Sequence, residues 1–568
     1  MPFTISLLYL FFSCNKNTSK SQILNLSLDQ NITSLDPGDA TDRYSIQAIS
    51  PVYETLVQYN YLKKPYQLEP LLLETMPSVS SNGTIYQFKL KKGIIFHDHK
   101  AFNNKPRELT VDDIFYSFKR LADKTVQAKG YYVLEGLIQG LDSWRAKSSY
   151  ENSVSGLVKI NNYEFEIHLV NKKPQFLYLL SNLHTAIVAK EIVDFYGKNF
   201  SQNAVGTGPF ILTKYIPGNS LNYVKNDKYI SSVFPINEEK DFKEASGKSL
   251  PFIDELVFHI SPENHPRWLN FLKGSLDLFY GLAENPAIFL DENKKLQQDL
   301  KNKSIELQKD LMLTTDYVGL NYTNKFLQNK LIRQALSLAF DRQKYSNLFK
   351  FGLLPLAESF TPPDLLGYQN KKNPYTEYNL PKAKMLLQEA GFPEGKGLPE
   401  FVLETKSGTE ERQRAEFFSK LFISLGLKLK INYNTWPELL NKIHNGNNDL
   451  FTLSWHMEYP DAENILCLAY GKGIPPKGLN YSRFSHKEFD QIYEQAVLLE
   501  DGPLKKDLYE KLDNILREEI PVLFIGHRFS FWLTHGWIKY FKGSNFDYSH
   551  VKYYGIDSSK KEILLKKL

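Results

Sequence analysis

The chain has 568 residues, 42% of them hydrophobic and 23% charged, and this length exceeds what a single hydrophobic core of ordinary size needs, so we expect two or more packed lobes. The net charge of +5 is spread over 69 basic and 64 acidic residues without a basic stripe, which gives no indication of a nucleic-acid partner. No run reaches the roughly 18 apolar residues of a membrane span, and only two cysteines, Cys14 and Cys467, exclude a disulfide framework and a multi-cysteine metal site.

Residues 1–20 have the order of a lipoprotein signal peptide. An apolar run at 5–12 and the small residue Ser13 precede Cys14, and a polar stretch at 15–20 follows it. In such a segment the cysteine becomes the lipidated first residue after cleavage. We therefore predict that residues 1–20 serve as signal peptide and lipid-anchor tether, that Cys14 is lipidated, and that the protein is exported to the periplasm or extracytoplasmic face.

Short strands and helices alternate in the first half of the chain. Thr110 and Asp113 have the spacing of a capping box and predict the start of a helix. In the predicted strand 85–90, Tyr86, Phe88 and Leu90 share one face, which we expect to be buried. The other elements predicted here are a strand at 23–28, a helix that ends at 53–57, and a hairpin of strands 210–215 and 220–224.

The same alternation continues in the second half. The predicted strands are 311–320, 427–432 and 449–454, and the predicted helices are 330–340, 380–391, 437–444, 489–496 and 504–519. Neither an internal repeat nor a long low-complexity linker interrupts the chain. We therefore expect an α/β protein with mixed sheets, in which the lobes are built from discontinuous segments.

The motifs of common reaction centres are absent from the sequence. It contains no HExxH, GxSxG, CxxC or Rossmann GxGxxG, so we predict no enzyme, no metal site and no cofactor. His97 and His99 could offer two imidazoles to a metal, but without a third ligand in sequence reach a polar turn is favoured. The segment 245–249 imitates the end of a phosphate loop, but Phe242 stands where that loop needs its first glycine.

One segment carries a specific pattern of aromatic and acidic residues. The predicted strand 449–454 is followed by Trp455, Glu458 and Tyr459, and Pro460 then ends strand pairing. A carboxylate flanked by aromatic rings at a strand end suits an ammonium group. The residues alone fit equally well a second interpretation, in which Trp455 and Tyr459 belong to the core and Glu458 is a surface carboxylate.

The chain resembles bacterial extracellular solute-binding protein family five, which comprises oligopeptide-, dipeptide- and nickel-binding proteins of ABC importers. The resemblance begins near residue 24 and extends almost to the C-terminus. Its motifs occur in family order: LDP at 35–37, YETLV at 53–57, KKGIIFHD at 91–98, LTVDDI at 109–114, AVGTGPF at 204–210, IRQAL at 332–336, AKMLLQEAG at 383–391, Trp436, and Trp455 with YPD at 459–461. Each motif is weak alone, but their order is specific.

The resemblance implies a two-lobed periplasmic-binding-protein (Venus flytrap) fold with an extra subdomain, its lobes joined by strand hinges and closing over a ligand. It implies a first lobe from residues 21–57, 186–305 and 528–568, an accessory subdomain from 58–185, and a second lobe from 306–527. We expect a monomer.

Site residues also follow from the resemblance. In peptide-binding members, the acidic residue three positions after the second tryptophan receives the peptide α-ammonium; here it is Glu458, where most members carry Asp. Trp436 and Trp455 resemble the pocket walls, Tyr459 follows the acidic residue, and Tyr132 resembles the aromatic contact from the accessory subdomain. The main chain from Phe451 through Thr452, Leu453 and Ser454 would pair with an extended peptide.

The far end of the ligand is matched less closely. Where a family member receives the peptide carboxylate with arginines, this chain has Thr452 and Ile443. Because a buried unpaired carboxylate is costly, a cation or water must meet it. Arg43, His444 and His456 are the candidates.

These patterns together predict a solute-binding protein that captures oligopeptides and delivers them to the permease subunits of an ABC transporter. Two alternatives stay open at this point. The same fold could bind a nickel chelate, haem or an oligosaccharide, although the acidic Glu458 suits an ammonium better than nickel. The chain could also be a sensory receptor module or a secreted enzyme, and the missing nucleophile and metal motifs disfavour the enzyme.

Overall fold

The structure is a computed structural model that describes residues 21–282, 286–546 and 550–568. The predicted signal peptide and the lipidation site Cys14 lie outside the described residues. Within the described part of the chain, no helix is both long and apolar enough to cross a membrane.

The strands belong to mixed and antiparallel sheets of two to six strands. In chain order they are β1 (Ile23–Leu28), β2 (Val57–Tyr59), β3 (Leu68–Pro70), β4 (Ser78–Val79), β5 (Ile85–Lys89), β6 (Leu157–Lys159), β7 (Glu164–His168), β8 (Phe210–Ile216), β9 (Ser220–Lys225), β10 (Glu255–Ile260), β11 (Leu278–Leu282), β12 (Ile305–Leu320), β13 (Phe401–Lys406), β14 (Leu429–Asn434), β15 (Leu450–His456), β16 (Val522–His535), β17 (Ile538–Lys539) and β18 (Gly555–Ile556).

The α-helices alternate with these strands along most of the chain. They are α1 (Arg43–Ile49), α2 (Val111–Ala122), α3 (Leu141–Lys147), α4 (Phe176–Leu179), α5 (Lys190–Tyr196), α6 (Asn264–Leu272), α7 (Gln298–Asn302), α8 (Lys330–Leu338), α9 (Arg342–Phe349), α10 (Leu380–Glu389), α11 (Thr409–Ser424), α12 (Trp436–Asn445), α13 (Glu463–Leu466), α14 (Lys487–Ala496), α15 (Pro503–Glu519) and α16 (Ser558–Leu565).

The first lobe contains two four-stranded sheets. One has the order β1-β10-β9-β8 and the other the order β4-β5-β7-β6. A single hydrophobic core joins them, since Leu26 of β1 and Phe88 of β5 belong to the same cluster of buried side chains. The C-terminal part of the chain enters this core through Trp537, which is fully buried. The first lobe is therefore built from both ends of the sequence.

The second lobe contains most of a six-stranded sheet with the order β11-β16-β12-β15-β13-β14. Its core consists of buried side chains between Leu313 and Ile525 together with Tyr59 and Phe546, and it packs helices such as α8 and α15 against the sheet. A third cluster of buried side chains, from Phe271 to Leu533, surrounds β11 at the opposite end of the sheet. Asp277 joins this end to the first lobe, because its carboxylate accepts a hydrogen bond from the Asn25 amide at 2.7 Å.

Two long strands connect the lobes. β12 has 16 residues and β16 has 14, and they pair in antiparallel fashion from Ile305↔His535 to Gly319↔Val522. Their register shifts between Leu311 and Thr315, where β12 carries extra residues. Such a bulge bends a strand and increases its twist. The domain boundaries predicted at 305/306 and 527/528 fall at the start of β12 and inside β16, and they stay predictions.

Several predicted elements are confirmed. The Asp113 carboxylate accepts a hydrogen bond from the Thr110 amide at 2.8 Å, which completes the capping box of α2. Tyr86 and Phe88 of β5 are buried as their alternation predicts. The predicted hairpin is formed by β8 and β9.

The helix predicted to end at 53–57 is wrong. α1 ends at Ile49, and Val57 begins β2. Pro51 explains the early end, because it has no backbone N–H to continue the helical hydrogen bonds after Ser50. The segment after Pro51 therefore forms a loop, although its side chains Val52 and Tyr53 are buried.

Candidate ligand-binding cleft

One edge of β15 is only partly used by the sheet. β15 pairs with β12 from Leu320↔Leu450 to Thr314↔His456, whereas β13 pairs with it only at Leu450 and Phe451. The strands part at Thr452, whose hydroxyl lies 2.7 Å from that of Thr405. Beyond this point no strand among the described residues pairs with the second edge, so its main-chain groups can accept an added strand.

The loop after β15 is fixed by one amide side chain. The Asn464 Oδ1 atom accepts hydrogen bonds from Trp455 Nε1 at 3.2 Å and from the Glu458 amide at 3.1 Å. Asn464 itself lies in α13 and is buried. The predicted strand 449–454 thus extends to His456, so Trp455 belongs to the strand and not to the loop, while Glu458 projects from the loop as predicted.

Glu458 and Tyr132 meet across the cleft. Tyr132, which lies in the short 3-10 helix Lys129–Val133, donates its hydroxyl to the Glu458 carboxylate. Both side chains are exposed, Tyr132 at 48%. Loss of water raises the pKa of Glu458, the neighbouring Glu463 raises it further, and the Tyr132 hydrogen bond acts in the opposite direction.

Tyr459 is a buried part of the same loop. Its hydroxyl donates to Glu463, its ring stacks on that of Tyr178 with centroids 6.0 Å apart, and only 7% of its surface is exposed. Burial raises the pKa of its hydroxyl, and Glu463 raises it further. This placement agrees with the interpretation of Tyr459 as a core residue, and its direct contact with a ligand stays a prediction.

Three side chains of the segment 173–178, which we call the interlobe latch, contact the second lobe. The latch consists of Lys173, Gln175 and Tyr178. Gln175 Nε2 donates to Asp461 Oδ2 at 2.8 Å, Lys173 Nζ lies 3.5 Å from Glu463 Oε1, and Tyr178 stacks on Tyr459. The latch contacts lie beside the Glu458 loop and hold the two sides of the cleft together.

A polar cluster occupies the floor of the cleft where β12, β15 and β16 meet. Arg528 pairs with Asp316 at 2.7 Å and donates to the Ser454 hydroxyl at 2.6 Å, and Ser454 donates to Asp316 at 2.5 Å. Burial disfavours the charge on Asp316, but Arg528 outweighs it and leaves the pKa of this carboxyl below its usual range. Ser454 is therefore joined to a charged pair, and Leu453 beside it is half-buried.

His456 and Arg43 lie at the side of the cleft that faces the first lobe. His456 Nδ1 is 2.8 Å from the Thr314 hydroxyl. Loss of water lowers the pKa of His456 to about 4, and the positive charges of Arg43 and Arg528 lower it further. The imidazole is thus neutral at pH 7. Arg43 stacks over the Tyr280 ring, 4.0 Å from its centroid.

Trp436 and His444 occupy opposite ends of α12. Trp436 is the first residue of the helix and is 47% exposed, whereas His444 is exposed in the last turn, where its carbonyl accepts a hydrogen bond from Arg483. Eight residues of helix separate them by about 12 Å. The contacts of the described residues bring neither side chain to Glu458, so both stay predictions.

The two histidines considered as metal ligands make separate contacts. His97 Nε2 lies 2.9 Å from the Gly208 carbonyl oxygen, and His99 Nε2 lies 2.9 Å from the Tyr196 hydroxyl. Unlike a residue of a polar turn, His97 is buried. In residues 21–282, 286–546 and 550–568, no group of three or more His, Cys, Asp or Glu is arranged to hold a metal ion.

A family profile decides the relationship of this chain. The profile of bacterial extracellular solute-binding proteins, family 5 (middle region), matches residues 67–476. The chain belongs to this family. The family predicted from the motifs is confirmed.

Individual relatives agree with this assignment over most of their length. The chain is 27% identical to the dipeptide-binding protein of Escherichia coli K12 over 84% of each protein, and 24% identical to heme-binding protein A of Haemophilus influenzae over 89% of this chain and 86% of that protein. The periplasmic binding protein DppA of Helicobacter pylori, solved in complex with peptide STSA, superposes with a TM-score of 0.72 at 24% identity, covering 94% of this chain and 98% of that one. The predicted two-lobed α/β fold is confirmed.

Sequence reasoning missed two residues that organise the site of this family member. Arg528 is the one Lys, Arg, Asp or Glu residue in β16, and that charge is the signal that could have found it. Asn464 follows the YPD motif in a segment rich in helix-capping residues, but its two acceptor contacts could not be inferred without the loop geometry.

Proposed function

We propose that the protein captures oligopeptides in the cleft between its lobes and delivers them to the permease of an ABC transporter. The observation that carries this proposal is the Glu458 carboxylate, which lies next to the unpaired edge of β15. Asn464 Oδ1 accepts a hydrogen bond from the Glu458 backbone amide, and Tyr132 donates its hydroxyl to the carboxylate. A peptide offers both partners that this arrangement requires, an ammonium group and an extended main chain.

Charge and burial support the role of Glu458. An ammonium group within hydrogen-bond reach of a carboxylate that has lost part of its water interacts more strongly than it would in bulk water. The same loss of water raises the pKa of Glu458 in the free protein, and a bound cation relieves this cost. Glu458 is thus better satisfied with a cationic partner than without one.

The edge of β15 supports recognition of the main chain. An extended peptide laid beside Leu453 and Ser454 gains backbone hydrogen bonds that do not depend on its side chains. This mode tolerates many peptide sequences, which suits a transport protein. The names of the relatives agree, because one is called a dipeptide-binding protein and another was solved with the peptide STSA.

The decisive experiment measures the binding of free and N-acetylated peptides to Glu458→Gln by isothermal titration calorimetry. Acetylation removes the ammonium group, so we expect it to weaken binding to the unaltered protein at least tenfold and to have little effect on Glu458→Gln. The matched control is Glu389→Gln, which alters an exposed glutamate of α10. Equal sensitivity of the unaltered protein and Glu458→Gln to acetylation would refute the ammonium site.

The bound solute can also be identified directly. Native mass spectrometry of protein purified from cells should detect bound peptides. The length of these peptides should not change during prolonged incubation, since we propose a binding protein without catalytic activity. Haem, a nickel chelate or an oligosaccharide in place of peptide would overturn the proposal. Shortened peptides after prolonged incubation would overturn the absence of catalysis.

We further propose that Cys14 carries a lipid anchor that holds the protein, as a monomer, at the extracytoplasmic face of the membrane. The apolar run and the small residue before Cys14 support this. A radiolabelled fatty acid should be incorporated into the unaltered protein and lost in Cys14→Ser. Label that persists in Cys14→Ser would show that the lipid is attached elsewhere, and the absence of label from the unaltered protein would show that it carries none.

A further inference from the structure

A cavity of about 70 Å³ lies in the first lobe, between α1, β11 and β16. Its walls include Arg43 and Gln47 of α1, Tyr280 of β11 and Trp532 of β16. The rings pack against one another, with the Tyr280 and Trp532 centroids 5.6 Å apart and the Arg43 guanidinium 4.0 Å above Tyr280. The walls are therefore held in place before any ligand arrives.

One face of β16 leads from the candidate site toward the cavity. Arg528, Ser530 and Trp532 alternate along this strand, so their side chains share a face. The rise of a strand places Trp532 about 13 Å from Arg528, and Arg528 contacts Ser454 of β15. Arg43 also lies close enough to His456 to lower its pKa. A chain that starts at Glu458 and passes His456 thus reaches the cavity.

The chemistry of the walls selects one kind of side chain. Aromatic and aliphatic groups dominate, the polar groups Ser27, Gln47 and Ser50 are neutral, and the one charged group is Arg43. A carboxylate coupled to Arg43, Asp29, is ion-paired with Arg267 at 3.1 Å. A lysine or arginine side chain of the ligand would lose water in the cavity and would lie beside the positive charge of Arg43. The wall residues include no carboxylate that could pair with it.

We propose that this cavity is a side-chain subsite that takes an apolar or aromatic side chain of the bound peptide, from a residue that follows the amino-terminal one. The proposal rests on the proposed function, because the ligand has to start at Glu458. It adds a specificity to backbone recognition: Arg43 at the rim excludes cationic side chains, and the rings of Tyr280 and Trp532 contact the apolar one.

Two peptide series test the subsite by calorimetry. The peptides are Ala-Xaa and Ala-Ala-Xaa, in which Xaa is Phe, Leu, Lys or Glu. The two series differ in peptide length and therefore in the distance of Xaa from the amino terminus. We expect Phe and Leu to bind at least tenfold tighter than Lys in at least one series. Equal affinity for Phe and Lys in both series would overturn the subsite.

Two variants connect any preference to this cavity. Arg43→Glu supplies a counter-ion for lysine, so we expect the preference for Phe over Lys to fall at least tenfold. Gln47→Trp fills the cavity and should weaken Phe peptides more than Ala-Ala. The matched control is Lys382→Glu, which reverses a cation 5.2 Å from the ring centroid of Tyr375 in the second lobe. Thermal melts identify any variant that fails to fold.

The outcomes separate the two proposals. If the preference is unchanged in both folded variants, or falls equally in Lys382→Glu, the subsite is refuted while peptide binding through Glu458 stands. If no peptide of either series binds and purified protein carries none, the proposed function fails first. The subsite is supported if the preference for Phe over Lys disappears in Arg43→Glu and in Gln47→Trp but persists in Lys382→Glu.

Discussion

Glu458 makes ligand binding dependent on pH. Its pKa in the free protein is raised by loss of water and by Glu463, so it takes up a proton at higher pH than an ordinary glutamate. Only the ionised form attracts an ammonium group. Affinity for peptide should therefore be full above this raised pKa and should fall as the pH is lowered through it.

Calorimetry between pH 4 and pH 8 checks this expectation. The N-acetylated peptide is the control, since without an ammonium group its affinity should change little over the range in which the free peptide loses affinity. A peptide affinity that stays constant down to pH 4 would contradict the raised pKa, and a loss shared equally by both peptides would point to another group.

Asp461 and Lys505 form a buried ion pair beside the interlobe latch. Lys505 Nζ lies 2.7 Å from Asp461 Oδ2, and the Tyr509 hydroxyl donates to the other carboxylate oxygen at 2.5 Å. Burial opposes the charge on Asp461, but Lys505 and Tyr509 outweigh it and hold the pKa of Asp461 below its usual range. Removing one partner leaves the other charge buried without compensation.

Lys505→Met should lower the free energy of unfolding by about 3–5 kcal/mol, measured by urea denaturation. The neighbouring Lys506→Met is the control. Lys506 is exposed and its Nζ atom forms a long ion pair of 3.7 Å with Glu510, so its loss should cost about 0.5 kcal/mol or less. Because the folded pKa of Asp461 is lowered, its contribution is present above the ordinary aspartate pKa and is lost as the pH falls through the folded value. The difference in the free energy of unfolding between Lys505→Met and Lys506→Met should therefore shrink as the pH falls. Equal free energies of unfolding at pH 7 would contradict the prediction.

At the scale of elements, the unpaired edge of β15 should change most when a peptide binds. The amides of 452–456 that point away from β12 are expected to exchange with deuterium quickly in the free protein and at least tenfold more slowly with peptide, because new main-chain hydrogen bonds close the edge. Hydrogen exchange with mass spectrometry measures this. β14, at the far edge of the same sheet, is the control, and protection of both strands to the same extent would indicate general stabilisation instead.

Local signals predicted most of these elements well. The capping box of α2 and the alternation in β5 depend on neighbouring residues, so the sequence contains the whole pattern. The helix expected to end at 53–57 failed because one proline outweighed an apolar run. The contact between Tyr132 and Glu458 joins residues far apart in the chain. The family resemblance indicated each of them as a ligand contact, but not their contact with each other. The pair of Arg528 with Asp316, also distant in sequence, had no such indication.

At the scale of the whole molecule, the interlobe latch sets how readily the cleft opens. Lys173→Ala combined with Gln175→Ala removes the ion pair with Glu463 and the hydrogen bond to Asp461. At about 1 kcal/mol for each contact, the closed form loses about 2 kcal/mol of stability. We therefore expect peptide affinity to fall by up to about thirtyfold and the radius of gyration of the free protein to rise in small-angle scattering.

Saturating peptide should return the double variant to the compact form. The control Lys228→Ala removes an exposed ion pair with Asp98 inside the first lobe and should leave the radius unchanged. An unaltered radius and affinity in the double variant would show that the latch contacts do not influence closure.

The position of β16 in the sheet determines when the molecule can fold. β16 lies between β11 and β12, yet it spans Val522–His535, near the end of a chain of 568 residues. Until these residues have been synthesised, β11 has no strand partner and the first lobe lacks its buried Trp537. The sheet around β16 and the core of the first lobe are therefore completed only once residues 522–537 have been synthesised.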